Sequence, residues 1–161
     1  MKGFTLIELV VSVAISLVVT GFIIVNYNSY NEIQTLKQAA LTLKNNLRYA
    51  QSKASTGGKP TPTPPMVSPI CTKLTGYTVS FVENAYSIQA SCDPEGLVGE
   101  MRSIDLPSGV TFSPVPLPFS FPVLSRGTTL DTVTILQLIG SGKQYGIQVS
   151  PGGDISDVGL Q

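Results

Sequence analysis

Glu8 stands at the threshold of an uncharged apolar segment, Leu9 to Val25, that is long enough to cross a lipid bilayer. From Phe4 to Val25 the chain has 22 residues, roughly 33 Å of helix at about 1.5 Å per residue. A lone carboxylate at membrane depth costs roughly 2.5–3.5 kcal/mol on insertion scales. Such a group is kept only where something neutralises it, so Glu8 is a functional-site candidate. A secretory signal would have an apolar core of roughly 7–15 residues and then a small-residue cleavage pattern. Here the run is longer, and no Ala-x-Ala pattern follows at once. A plain signal anchor fits the length but leaves Glu8 unexplained. A buried soluble helix of this greasiness would need a large protein around it, and the chain has 161 residues.

Met1 to Glu8 reads Met-Lys-Gly-Phe-Thr-Leu-Ile-Glu. Gly3-Phe4-Thr5-Leu6-Ile7-Glu8, running directly into the apolar segment, resembles the processing and methylation site of type IV pilins and type II secretion pseudopilins. The resemblance implies cleavage between Gly3 and Phe4 by a prepilin peptidase, and N-methylation of Phe4. It implies that Glu8 attracts the terminal amine of a neighbouring subunit during assembly. The implied partners are other pilin or pseudopilin subunits, the peptidase, an inner-membrane assembly platform and membrane lipid. The implied location is the bacterial inner membrane, single-pass with the head outside the cytoplasm, and then a periplasmic or cell-surface filament. The implied fold is α+β: a pilin-like long N-terminal α-helix, its first half transmembrane, packed on a small antiparallel β head.

The residues themselves extend this picture. Ile33, Leu36, Ala40, Leu43, Leu47, Ala50 and Ala54 recur at steps of three and four, which places them in one stripe along a helix. No proline interrupts Phe4 to Lys59, so a single helix is expected from near Phe4 to about Ala54, ended by Gly57-Gly58 and Pro60. The same spacing also suits a coiled-coil seam with a partner chain. Three of the seven positions are alanine and the seam is short, which favours packing on the protein's own sheet. Many pilins carry a proline midway along the apolar segment; here Gly21 is the only weak point. Ser12, Ser16 and Gly21 are small enough to let neighbouring helices approach closely. The expected organisation is a leader at 1–3, an assembly and transmembrane half of the helix at 4–25, an amphipathic half at 26–56, a Gly/Pro linker at 57–69 and a β-rich head at 70–161. Pro60 to Pro65 reads as a stiff extended linker.

Charge narrows the function. From Asn26 to Lys59 there are five basic residues against one acid, a net +4, and from Pro60 onward four against eight, a net −4. An acidic head argues against a general nucleic-acid binder. The chain has no histidine, so the usual acyl-transfer triad cannot be built and little material remains for a zinc site. Asp154 and Asp157 alone fall well short of the roughly 6–8 oxygens calcium takes. A structural subunit, with no enzyme activity, cofactor or metal, is therefore expected. Cys71 and Cys92 make an even count in a head expected outside the cytoplasm. A disulfide between them is the favoured reading and two buried free thiols the alternative.

In the head, Tyr77 to Val82 and Tyr86 to Ala90 alternate apolar and polar residues and read as a hairpin flanked by the two cysteines. Ile104-Asp105-Leu106 and Val110-Thr111-Phe112 surround a Pro107-Ser108-Gly109 turn. Thr132 to Leu138 and Tyr145 to Val149 form a final pair, and proline-rich Pro114 to Pro122 is a loop or an exposed edge. Leu106-Pro107-Ser108-Gly109-Val110, Phe121 to Gly127, Tyr145 to Ser150 with Pro151-Gly152-Gly153-Asp154-Ile155, and Arg48 to Ala54 resemble the subgroup containing the minor pseudopilin H and FimT-like minor pilins. A FimT-like role in DNA uptake would need basic residues near the C-terminus, whereas Gly152 to Gln161 holds two acids and no base.

Overall fold

A computed structural model describes residues 5–60 and 71–161, apart from the side chains at 22–29 and 100. One helix, α1 (Leu6–Ser55, 50 residues), precedes eight strands: β1 (Lys73–Val82), β2 (Ala85–Asp93), β3 (Gly96–Asp105), β4 (Val110–Phe112), β5 (Phe119–Pro122), β6 (Thr134–Gly140), β7 (Lys143–Val149) and β8 (Ile155–Leu160). They form two four-stranded antiparallel sheets, ordered β3-β2-β1-β5 and β4-β6-β7-β8. The arrangement is α+β and pilin-like, a long N-terminal helix packed on antiparallel sheets.

The second half of α1 is the spine of the core. Leu36, Ala40, Leu43, Leu47, Ala50 and Ala54 are all at 0% exposure, while Ile33, at the start of the stripe, is half-buried. The helix touches strands of both sheets, β1 and β5 on one side and β6, β7 and β8 on the other. The stripe is thus spent on the protein's own sheets, not on a coiled-coil partner. Alanine at three of its positions lets the sheets come close to the helix axis, and the leucines fill the space between them. Rings from both sheets interlock in the same core. Phe81 of β1 meets Phe112 of β4 edge-on at 5.3 Å between centroids, and Phe119 and Phe121 of β5 meet edge-on at 5.6 Å.

The helix ends where glycine permits it. Gly57 takes φ +65°, its N–H donates to the Ala54 carbonyl at 3.0 Å, and the Gly58 N–H donates to the Lys53 carbonyl at 3.1 Å. These bonds close carbonyls that the last turn leaves open. The expected extended linker over Pro60 to Pro65 lies outside the described residues except for Pro60.

Several strand expectations hold and others are corrected. The β1–β2 hairpin pairs Tyr77 with Ala90 and Val82 with Ala85, and β6 pairs with β7 across Ser141-Gly142. The proline-rich stretch supplies β5, an edge strand on β1 whose Phe119 and Phe121 reach the core. An edge is where proline is tolerated, because no partner awaits its missing N–H. The Pro107-Ser108-Gly109 turn is present, with the Val110 N–H donating to the Pro107 carbonyl at 3.0 Å, but the runs on either side of it belong to different sheets. Ile104 belongs to the long strand β3 on β2, while β4 crosses to the other sheet and pairs with β6. Residues 96–103 extend β3 well before that point, in a sequence whose Gly96, Gly99 and Glu100 mask the alternation. At the C-terminus, β8 begins at Ile155, directly after Gly152-Gly153-Asp154.

Among the described residues, one polar or charged residue other than tyrosine is buried in the core. Asn46 is 7% exposed, and its Nδ2 donates to the Tyr86 hydroxyl at 2.6 Å. Burial pushes the Tyr86 phenol above its ordinary value near 10, against the opposing Asn46 hydrogen bond and the Arg102 charge; burial also raises Tyr77 and Tyr145. A folded-state phenol pKa above the unfolded value contributes stability that is present below about pH 10 and lost as pH rises through the folded value. The melting temperature should therefore fall steeply above about pH 10, and Tyr86→Phe should shallow that slope in a pH series of thermal melts. Leu47→Ala, which opens a void in the helix–sheet core, should cost about 2–5 kcal/mol in urea unfolding of the full chain in detergent, followed by tyrosine fluorescence.

Candidate functional site: the helix entrance

The first turn of α1 is closed by a reciprocal pair. Thr5 is the N-cap, with extended backbone at φ −81°, ψ 150°, and its Oγ1 accepts from the Glu8 N–H at 3.4 Å. In return Glu8 Oε2 accepts from the Thr5 N–H at 3.0 Å and from the Thr5 hydroxyl at 2.9 Å. This capping box satisfies N–H groups that no helix can pair internally, and it sets a negative group at the positive end of the helix dipole. Both bonds from Thr5 fall on Oε2, so the carboxylate keeps acceptor capacity at Oε1 for a further donor. Thr5 has a role here that the resemblance did not assign to it. Its signal is present in the chain, because Thr-x-x-Glu directly before an apolar run is a helix-start signature.

Past the box, every described side chain from Leu6 to Gly21 is exposed, with Leu6 at 83% and Leu17 at 69%. So continuous an apolar surface is far beyond what a lone soluble protein leaves to water. Its few polar groups turn inward on the helix: Ser12 Oγ donates to the Leu9 carbonyl at 2.9 Å, Ser16 Oγ to the Ser12 carbonyl at 2.8 Å and Thr20 Oγ1 to the Ser16 carbonyl at 2.7 Å. The hydroxyls are thereby satisfied within the helix and leave its outer surface apolar. A Cβ added at Gly21 would meet nothing within 4 Å, so no intrachain packing demands glycine there. Ile7, Glu8, Val11, Ser12 and Ile15 bound a shallow groove along one side of the helix, with the carboxylate among its walls.

Gly3 and Phe4 lie outside the described residues, as do the side chains of Phe22 to Val25 at the end of the expected span. Among the described residues, no helix is long and apolar enough to cross a membrane. Glu8 is therefore placed by the structure, and the Gly3–Phe4 junction is not. The head contributes two further placements. Cys71 and Cys92 form a disulfide with Cα atoms 5.5 Å apart, and it ties the chain before β1 to the end of β2. Asp157 pairs with Lys44 of the helix while Asp154 stays at the surface, and no metal-binding cluster occurs among the described residues.

Gln51 forms a second clamp between helix and head. Its Nε2 donates to the carbonyls of Arg126 and Gly153, each at 2.7 Å. Gly153 has φ +86°, and a Cβ there would lie 1.6 Å from the Arg126 carbonyl oxygen, so only glycine lets the two loops meet under Gln51. With the Lys44–Asp157 pair, this clamp holds the β8 side of the head against α1.

Residues 1–24 match the family model described as the prokaryotic N-terminal methylation motif. No curated protein and no solved structure matches the chain. Replacing both cysteines by serine should lower the head's stability by about 3 kcal/mol on the chain-entropy model for a loop of this size. Parallel urea titrations of the two proteins check that value.

Proposed function

We propose that the chain is a structural subunit, a minor pilin or pseudopilin, of a type IV pilus-like or type II secretion filament. A prepilin peptidase cuts between Gly3 and Phe4 and methylates the new terminus, and the subunits then assemble by helix packing. The observation that carries this reading is Glu8: a carboxylate held in a fixed orientation by Thr5, within the matched motif, at the head of an uncharged and exposed apolar helix.

Before assembly, the segment Leu9 to Val25 anchors the chain in the inner membrane, with Lys2 on the cytoplasmic side and the disulfide-bonded head outside it. Cleavage removes Met1-Lys2-Gly3 and exposes the amine of Phe4. As helices pack into a filament, the Phe4 amine of one subunit approaches Glu8 of its neighbour. Each charge would cost several kcal/mol if buried alone, and pairing removes most of that penalty. Because Thr5 already restrains the Glu8 side chain, less rotamer freedom is lost when the amine arrives. The groove beside Glu8, walled by Ile7, Val11, Ser12 and Ile15, suits the apolar side of a neighbouring helix. One ion pair per subunit thereby sets the axial stagger between helices whose apolar surfaces are otherwise free to slide.

Within this class we take the secretion-filament role as the finer reading, with surface adhesion or motility as its near alternative. A FimT-like part in DNA uptake is disfavoured by the tail, where Asp154 and Asp157 stand in place of the bases such a contact needs. Glu8→Ala should leave membrane insertion and leader removal intact but abolish incorporation into filaments, read by fractionation and immunoblotting of sheared fibres. Normal incorporation of that variant would refute the reading. Gly3→Val should instead leave the leader attached, visible as a higher-mass species by mass spectrometry.

A further inference from the structure

The end of α1 and strands β2 and β3 line a cleft of about 300 Å³ that shares no residue with the helix entrance around Glu8. Its floor is apolar, from Ile88 and Ala90, and its walls carry three cations: Lys53 from the last turns of the helix, Lys59 just past it and Arg102 from β3. Arg102 is registered with Ile88 across β2–β3. Paired residues project from the same face of a sheet, so the guanidinium comes up beside the helix. There Tyr49 holds two of the charges. The Arg102 Cζ lies 5.0 Å from its ring centroid and the Lys53 Nζ 5.7 Å.

Lys59 is positioned separately, donating to the Thr72 carbonyl at 3.0 Å; nearby, the Thr72 hydroxyl chiefly, and the Lys59 charge last, lower the Glu95 carboxyl's pKa. No acid stands among the described lining residues, and the one ion pair among the described residues, Lys44 with Asp157, is elsewhere. Two cations gathered on one ring repel each other, and a bound anion relieves that repulsion. Cation–π contacts also restrain both side chains, so less is lost in ordering them around a ligand. The volume stands at the small end for ligand sites. The surrounding head carries net negative charge, which disfavours a long polyanion running beyond the cleft.

We propose that this cleft binds a small anion bearing two or more oxyanion groups, carboxylate or phosphate, between Arg102, Lys53 and Lys59. This inference is independent of filament assembly and of Glu8. Isothermal titration of the full chain in non-ionic detergent micelles tests it, with citrate and pyrophosphate as the two anionic probes and glucose as the uncharged control. Saturable binding of one anion is expected, weakened at least tenfold by Arg102→Gln and by Lys53→Gln and unchanged by Lys143→Gln at the β6–β7 turn. Tighter citrate binding assigns a carboxylate ligand and tighter pyrophosphate binding a phosphate. Circular dichroism verifies each variant's fold, and Lys53→Gln alone decides if Arg102→Gln does not fold. Failure of both anions to saturate at millimolar concentration overturns the proposal, as does binding indifferent to these substitutions. A thymidine oligonucleotide that binds the cleft tenfold more tightly than either anion would overturn it in favour of a nucleic-acid site.

Discussion

The burial of one helical stripe organises this protein. Leu36, Ala40, Leu43, Leu47, Ala50 and Ala54 are removed from water entirely, and neither sheet could bury its inner face without them. Burying apolar surface stabilises by roughly 25 cal/mol per Å², so this shared interface contributes to the head's cohesion. It also makes helix and head one unit. A force or constraint applied to the exposed half of α1 is transmitted along continuous backbone hydrogen bonds into the centre of the core.

Polar contacts then determine how the sheets sit on that stripe. Asn46 meets the Tyr86 hydroxyl on one side, while Gln51 and Lys44 hold the β8 side through Gly153, Arg126 and Asp157. Hydrophobic burial is tolerant of small rotations about the helix axis, whereas a buried amide with one hydroxyl in reach is not. The disulfide acts at the other sheet, holding the chain before β1 to the end of β2. Together these contacts leave the described apolar side chains from Leu6 to Val19 exposed, a surface that fits the proposed role of helix packing.

At the helix entrance the same carboxylate serves two purposes. Glu8 completes a capping box within its own chain and keeps acceptor capacity for a donor from outside it. The proposed amine partner would therefore meet a carboxylate already oriented by Thr5. The cap also explains why Thr5 and Glu8 belong together chemically: without the hydroxyl, the carboxylate would enter the proposed ion pair with its orientation still unfixed.

The division between sequence and structure follows the range of the interactions involved. Determined locally, and legible in the chain alone, were the helix with its buried stripe, the glycine stop at Gly57-Gly58, the two tight hairpins and the charge at the edge of an apolar run. Each depends on periodicity or on residues within a few positions of one another. Thr5 was legible too, through its spacing from Glu8, although its role emerged only from the geometry. Only the tertiary structure decided that β4 leaves β3 for β6, that a proline-rich segment supplies the edge strand β5, that β8 extends the second sheet, and that Arg102 and Lys53 share the ring of Tyr49. Most of those outcomes join residues tens of positions apart, where the free energy lies in filling the space between two sheets and a helix and no short pattern in the chain records it.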